Sequence, residues 1–289
     1  MSTEGSLFRK LDNSEICMLG DVTISCPIRC FVFGSDGVIS TLREGWQKIM
    51  AMMMVEMIIG KAKPSEPELN AIKSEVYGFV RCSAGFHTIL QMEELVAMIE
   101  GYGFVQCDEI RQATDYKAIY DKRLMASVNE RLALFGYQKA TAEDFMIRDV
   151  RKFLCNLSNQ KVKMIVSSGT DEADLRRELD ILKATKFFSE IYGARATYDE
   201  SNKRTVLRGL IEANGFEGKE IAVVGSGRID MEVAKAFGCL AIGVASNEIE
   251  RHGWNVSKAL NLARARVKPD ILITDFRHNG RLLELLVPK

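Results

Sequence analysis

No charge of one sign dominates this chain. Lys plus Arg total 39, Asp plus Glu total 39, and the formal net charge over 289 residues is zero. That balance removes any electrostatic reason to expect nucleic acid or an anionic membrane as partner. The seven cysteines are odd in number and scattered, without a Cys-x-x-Cys pair. They exclude a disulfide framework and read as buried or incidental thiols in a reducing compartment. Long apolar runs are missing too. Ile49–Ile59 contains Glu56 and lies between Lys48 and Lys61, so it is too short to span a bilayer and reads as a buried helix. Residues 1–20 carry charges throughout and show no signal-peptide core, and a cytoplasmic protein is expected. There is no internal repeat and no low-complexity tract. What remains is a chain with 47% hydrophobic residues, enough for one large or two modest domains.

Its pattern changes twice. Val22–Ile24 reads as a small strand, separated by Pro27 from a stronger one at Cys30–Phe33. Residues 41–146 are rich in Met, Glu, Lys, Ala and Leu. Leu42, Trp46, Ile49, Met50 and Met53 follow helical spacing. Ala71–Phe79, Thr88–Glu100 and Ile119–Leu134 read as further helices. From residue 147 strands and helices alternate. The expected strands are Val162–Val166, Ile191–Gly193, Ile221–Val224, Leu240–Val244 and Ile271–Thr274. The expected helices are Asp171–Lys183, Lys203–Asn214, Asp230–Phe237 and Asn279–Leu286. Serial strand–helix units imply a parallel sheet covered on both faces. Ligand sites in such sheets lie at the carboxyl ends of the strands, so the turns at Gly34, Ser168 and Gly225 are expected to converge.

Each turn carries chemistry-bearing residues. The first reads Gly34-Ser35-Asp36-Gly37, directly after an apolar run. The second is Ser168-Gly169-Thr170, followed by a helix with acids in its first turn, where hydroxyl and backbone N–H groups can hold an anion. Lys203 opens a helix. The last turn reads Gly225-Ser226-Gly227-Arg228-Ile229-Asp230.

In this order the four segments resemble the motifs of the haloacid dehalogenase (HAD) superfamily, specifically its helical-cap phosphatase and β-phosphoglucomutase-like branch. The resemblance spans all but about the first twenty residues. It implies a doubly wound, Rossmann-like parallel-sheet α/β core made of residues 1–40 and 147–289. Residues 41–146 would form a helical cap that closes over the site, with Arg43, Trp46, His87 and Lys122 as candidate cap contacts. The family's first motif is Asp-x-Asp-Gly. Its first acid attacks phosphorus and its second is general acid and base. Asp36 stands at the second position and Gly34 at the first. Ser168 and Gly169 match the phosphate-holding motif, and Lys203 matches the lysine that neutralises nucleophile and phosphate. The family's last motif, Gly-Asp-x-x-x-Asp, supplies a direct Mg²⁺ ligand and a supporting acid. Here they are Ser226 and Asp230.

Mg²⁺ is thus the cofactor the family implies. With Gly34 and Ser226 in place of two carboxylates, its binding at positions 34, 36, 226 and 230 is expected to be weak or absent. The resulting expectation is a HAD-like pseudoenzyme, derived from a Mg²⁺-dependent phosphatase or phosphoryl transferase. It keeps a site for a small phosphorylated metabolite, and a protein partner becomes a possible mode of action. The alternative is an active phosphatase using Asp36, with Asp230 or Asp275 reaching a displaced metal. A third reading takes Gly225-Ser226-Gly227 as a dinucleotide-binding turn with Glu248 some twenty residues on. Against it, Asp230 occupies the place where a third glycine is needed.

Overall fold

A computed structural model describes residues 9–20, 22–195, 203–250 and 253–288. The chain divides into two compact units, Met1–Glu44 with Ala140–Lys289, and Gly45–Lys139. Residues 41–44 and 140–146 fall in the first unit because the two connecting segments pair with each other. Ser40 bridges Met146, and the Thr41 N–H donates to the Phe145 carbonyl at 2.9 Å.

The first unit is built on a sheet of β1 (Arg9–Lys10), β2 (Cys17–Met18), β3 (Cys30–Phe33), β4 (Lys163–Asp171), β5 (Glu190–Ala194), β6 (Ile221–Gly225), β7 (Leu240–Val244) and β8 (Ile271–Ile273). Its spatial order is β1-β2-β8-β7-β6-β3-β4-β5, with β3 to β8 parallel and β1 and β2 added antiparallel at one edge. β3 lies at the centre and all four of its residues are buried. The strand's period of two decides what each face meets. Cys30 and Val32 pack with Val206, Leu207, Met231, Val233 and Leu262 on one side. Phe31 and Phe33 point the other way, stacking on each other and meeting Phe153 edge-on. A strand buried on both faces needs an unbroken apolar run, and Cys-Phe-Val-Phe supplies it.

Helices in this unit are α5 (Val150–Asn159), α6 (Glu172–Ile181), α7 (Lys203–Asn214), α8 (Arg228–Ala236), α9 (Val256–Ala263) and α10 (Asn279–Leu286), numbered after the four of the second unit. The architecture is the doubly wound α/β core that the sequence implies. Two details differ. The strand expected at Val22–Ile24 does not form, and the sheet edge is covered instead by Ile16–Leu19, whose four apolar side chains are all buried. Val22-Thr23-Ile24-Ser25 alternates apolar and hydroxyl residues and stays at the surface. Strand β4 runs five residues past its expected end, through Asp171, with a register shift against β5 between Ser167 and Asp171.

The second unit holds α1 (Trp46–Ile59), α2 (Glu66–Cys82), α3 (Thr88–Tyr102) and α4 (Ala113–Gly136). Met50, Met54 and Ile58 of α1, Ile72, Val76 and Val80 of α2, and Tyr116, Tyr120, Leu124 and Val128 of α4 recur every four residues and form one cluster. Ser65 and Glu68 cap α2 reciprocally: the Ser65 N–H donates to the Glu68 carboxylate at 2.7 Å. Trp46 packs on the apolar cluster, His87 is buried and Lys122 is exposed. No helix among the described residues is long and apolar enough to cross a membrane.

Candidate functional site

The turns after β3, β6 and β7 and the end of β4 meet, and hydrogen bonds stitch them together. The Thr170 hydroxyl donates to Asp36 Oδ2 at 3.0 Å. The Ser226 hydroxyl donates to the Asp36 backbone carbonyl at 2.9 Å. Ser246, just past β7, donates to the Gly37 carbonyl at 3.4 Å, and the Gly34 N–H donates to the Val224 carbonyl at 2.8 Å. Residues 134 to 209 positions apart in sequence are bonded within one turn's width.

Gly34 is a glycine by neither strain nor crowding. A Cβ built there would lie 3.5 Å from Val38 Cγ2, 3.6 Å from the Val224 carbonyl and 3.9 Å from Lys203 Nζ, all ordinary contacts. A Cβ is tolerated there, within 4 Å of an ammonium. Gly225 is the opposite case. A Cβ there would fall 2.2 Å from Asp230 Cβ and Oδ2, so the Asp230 side chain needs the bare backbone.

Asp230 is fully engaged. Its Oδ2 accepts the N–H groups of Ser226 at 3.0 Å and Gly227 at 3.1 Å, and its Oδ1 accepts Lys203 Nζ at 2.5 Å. This Asp caps α8 and holds Lys203 at once. The two N–H groups that a pyrophosphate would need at this turn are therefore occupied, and the dinucleotide reading of Gly225-Ser226-Gly227 falls away.

Asp36 sits deeper than a turn acid should. Its Oδ1 is sealed from solvent and accepts no hydrogen bond. Burial raises its pKa above the usual carboxylate range, opposed by Arg43 and by the Thr170 hydroxyl. Arg43, expected as a cap contact, instead lies buried in the core unit. Its Nε and Nη2 grip Glu178 of α6 at 2.8–3.2 Å, and its Nη2 reaches Asp174 at 3.2 Å. Burial works against the guanidinium charge, but Glu178, Asp36 and Asp174 together hold its pKa above the ordinary range.

Of the residues the motifs single out, the structure brings Gly34, Asp36, Lys203, Ser226 and Asp230 into one set. The Ser168 hydroxyl accepts the Thr170 N–H at 3.2 Å, and Thr170 is the hydroxyl bonded to Asp36. Gly169 lies inside β4 rather than in a free turn. Thr170 closes the second motif and Arg43 is expected in the cap, whereas Glu178 and Ser246 carry no motif signal and only folding reveals their part.

The donor set does not fit Mg²⁺, which wants several anionic oxygens in near-octahedral array. Gly34 offers none. The Asp36 carbonyl already accepts the Ser226 hydroxyl, and both Asp230 oxygens are taken. Among the described residues no group of three His, Cys, Asp or Glu side chains is placed to hold a metal.

A sequence profile of the haloacid dehalogenase-like hydrolases matches residues 90–244, more than half of the chain. The chain belongs to that family. The matched span includes Ser168, Lys203, Ser226 and Asp230 and begins after the Gly34–Gly37 turn. No curated protein matches. Several solved structures share the fold. A predicted phosphoglycolate phosphatase from Haemophilus somnus is 16% identical, with a TM-score of 0.55 over 89% of this chain and 99% of that one. A predicted phosphatase from Clostridium acetobutylicum gives 16% and 0.55 over 90% and 100%. A β-phosphoglucomutase from Clostridium difficile gives 13% and 0.53 over 75% and 84%.

Proposed function

We propose that this HAD-family protein binds a small phosphorylated metabolite at the carboxyl ends of its strands and does not hydrolyse it through an aspartyl-phosphate. The reading rests on Gly34. An unstrained position beside Lys203 Nζ accepts a Cβ in ordinary contact and carries no side chain at all. Losing the nucleophile of a cooperating catalytic set costs about 10⁶ in rate, on the order of 8 kcal/mol in barrier. Lys203, whose ammonium gives one of its three N–H donors to Asp230, remains to meet an anion. The ligand class follows the fold neighbours, which are named for phosphoglycolate, phosphoglucose or phosphatase chemistry. A pseudoenzyme of this kind acts through the ligand it holds or through a protein that reads the bound state, and we place it in the cytoplasm.

A second reading has one observation in its favour. Asp36 Oδ1 is spent on no protein group, and once uncovered to solvent it is an acceptor able to activate water. Its metal partners are the difficulty. Asp230 is consumed by Lys203 and two N–H groups, and Asp275 accepts from the Arg277 N–H at 2.9 Å and guanidinium at 3.0 Å.

The deciding experiment measures Mg²⁺-dependent phosphate release from a panel of sugar and nucleotide monophosphates. Wild type runs beside Gly34→Asp/Ser226→Asp. We expect a silent wild type and a double variant that turns over. The first substitution fills the space beside Lys203, and the second frees the Asp36 carbonyl. Turnover by wild type that is lost in Asp36→Asn would overturn the reading in favour of the second one.

A further inference from the structure

We propose that Lys258 is a second phosphate-binding cation of this site, held in reserve by Glu248, and that it supplies positive charge the site cannot draw from a metal. The proposal rests on the phosphate-binding reading above. Lys258 belongs to none of the four motifs. Folding brings it in from the connection between β7 and β8. Ser246 bridges Trp254 there, and α9 begins after Asn255, whose side chain accepts the Lys258 backbone N–H at 3.0 Å. That cap fixes Lys258 in the first turn of α9. Its Nζ donates to Glu248 Oε1 at 2.8 Å.

The pair lies directly on the turn that carries Asp36. A Cβ built on Gly37, whose φ is +68°, would fall 2.5 Å from Glu248 Oε1 and 2.7 Å from Lys258 Nζ. A glycine is therefore required at 37 by conformation and by the ion pair together. Three residues earlier, a Cβ on Gly34 would lie 3.9 Å from Lys203 Nζ. Two ammonium groups thus flank one four-residue turn, and both Glu248 and Lys258 act electrostatically on Asp36.

An ammonium carries three N–H donors. Lys203 gives one to Asp230 and Lys258 gives one to Glu248, with no second protein acceptor for either among the described residues. The two pairs differ in how firmly they are tied. Asp230 also accepts two backbone N–H groups, so displacing it would unmake the α8 cap. Glu248 has Lys258 as its one hydrogen-bond partner among the described residues, and both side chains remain about one-fifth exposed. An incoming dianion therefore releases Lys258 from Glu248 more readily than Lys203 from Asp230. Phosphate, with charge near −2 at neutral pH, then gains a cation while Glu248 returns to water.

The test is calorimetric titration of inorganic phosphate into the full chain without divalent metal, for wild type, Lys258→Met, Glu248→Gln and Lys203→Met, with thermal melts alongside. Methionine keeps the lysine stem and the α9 cap. We expect Lys258→Met to weaken phosphate about tenfold, as loss of one charge-assisted hydrogen bond should, at unchanged melting temperature. Glu248→Gln should tighten it severalfold, a sign that a merely structural ion pair would not produce. Wild-type affinity in both, with binding lost in Lys203→Met, overturns the role of Lys258 and leaves the phosphate site standing. Absence of phosphate binding by wild type overturns both. If Lys258→Met fails to fold, Glu248→Gln decides alone.

Discussion

The two units of this chain bury different things. Among the described residues, the interior of the helical unit contains no buried acid, lysine or arginine. Its buried polar side chains are Ser83, His87 and Gln91, set among Met50, Met53, Met54 and Met92. The core unit buries Arg43, Glu178, Asp230 and Asp275, with Arg43 paired to Glu178 and Asp230 to Lys203. Buried charge is costly unless paired, whereas methionine packing is adaptable and indifferent to small changes of shape. The core unit therefore carries an expensive polar set near strands whose following turns hold a glycine at 34 and a serine at 226.

The largest expected effect breaks the polar set directly. Glu178→Met leaves Arg43 buried with only the partly exposed Asp174 and Asp36 as acidic neighbours. Removing one partner of a buried ion pair costs about 3–5 kcal/mol. In the helical unit, Met53→Leu keeps volume and polarity and should cost less than about 1.5 kcal/mol. Urea unfolding of the two variants measures the contrast. Similar losses in both would mean that the Arg43–Glu178 pair is no more demanding than ordinary packing, and the comparison would fail.

A smaller effect concerns Asp36. Its pKa is raised in the folded protein chiefly by burial, with Arg43, Thr170 and Lys258 opposing and Glu248 adding to the rise. A carboxyl whose folded pKa lies above the unfolded value binds its proton more tightly when folded. Its contribution to stability is therefore complete below the ordinary value near 3.8, and it is lost as pH rises through the raised one. Asp36→Asn should remove that component. The variant-minus-wild-type stability difference should grow in the variant's favour between the two values and level off above. A flat difference across that range would show that Asp36 is ionised and solvated in the folded state.

Much of this arrangement was legible in the sequence, for identifiable reasons. Cys30–Phe33 and Ile221–Val224 read as buried strands because central parallel strands need unbroken apolar runs, and the glycine-rich turns after them marked the strand ends. The four-residue spacing of Met50, Met54 and Ile58 identified a helix. Arg43 was misplaced because its partner lies 135 positions away, and nothing local to Leu42-Arg43-Glu44 says which way the side chain turns. Thr170 was passed over for Ser168 because β4 runs on beyond the expected turn, and the register shift there decides which hydroxyl faces Asp36. Lys258 was invisible for the same kind of reason: α9 had no sequence signal that tied it to the turn at Gly37.

The smallest effect is the most pointed. In wild type the Ser226 hydroxyl occupies the Asp36 carbonyl, one of the few oxygens at this site that a cation could otherwise take. Ser226→Ala removes one neutral hydrogen bond, at a cost of about 1 kcal/mol. It exposes the carbonyl without supplying a charge. Millimolar Mg²⁺ should leave the melting temperature of wild type and of Ser226→Ala unchanged, because a carbonyl alone is a poor site for a hard dication. The same Mg²⁺ should raise the melting temperature of Gly34→Asp/Ser226→Asp, since a ligand that binds only the folded state stabilises it by mass action. A rise in wild type would mean that the serine yields its carbonyl to the metal, and that the polar set at the strand ends serves a cation after all.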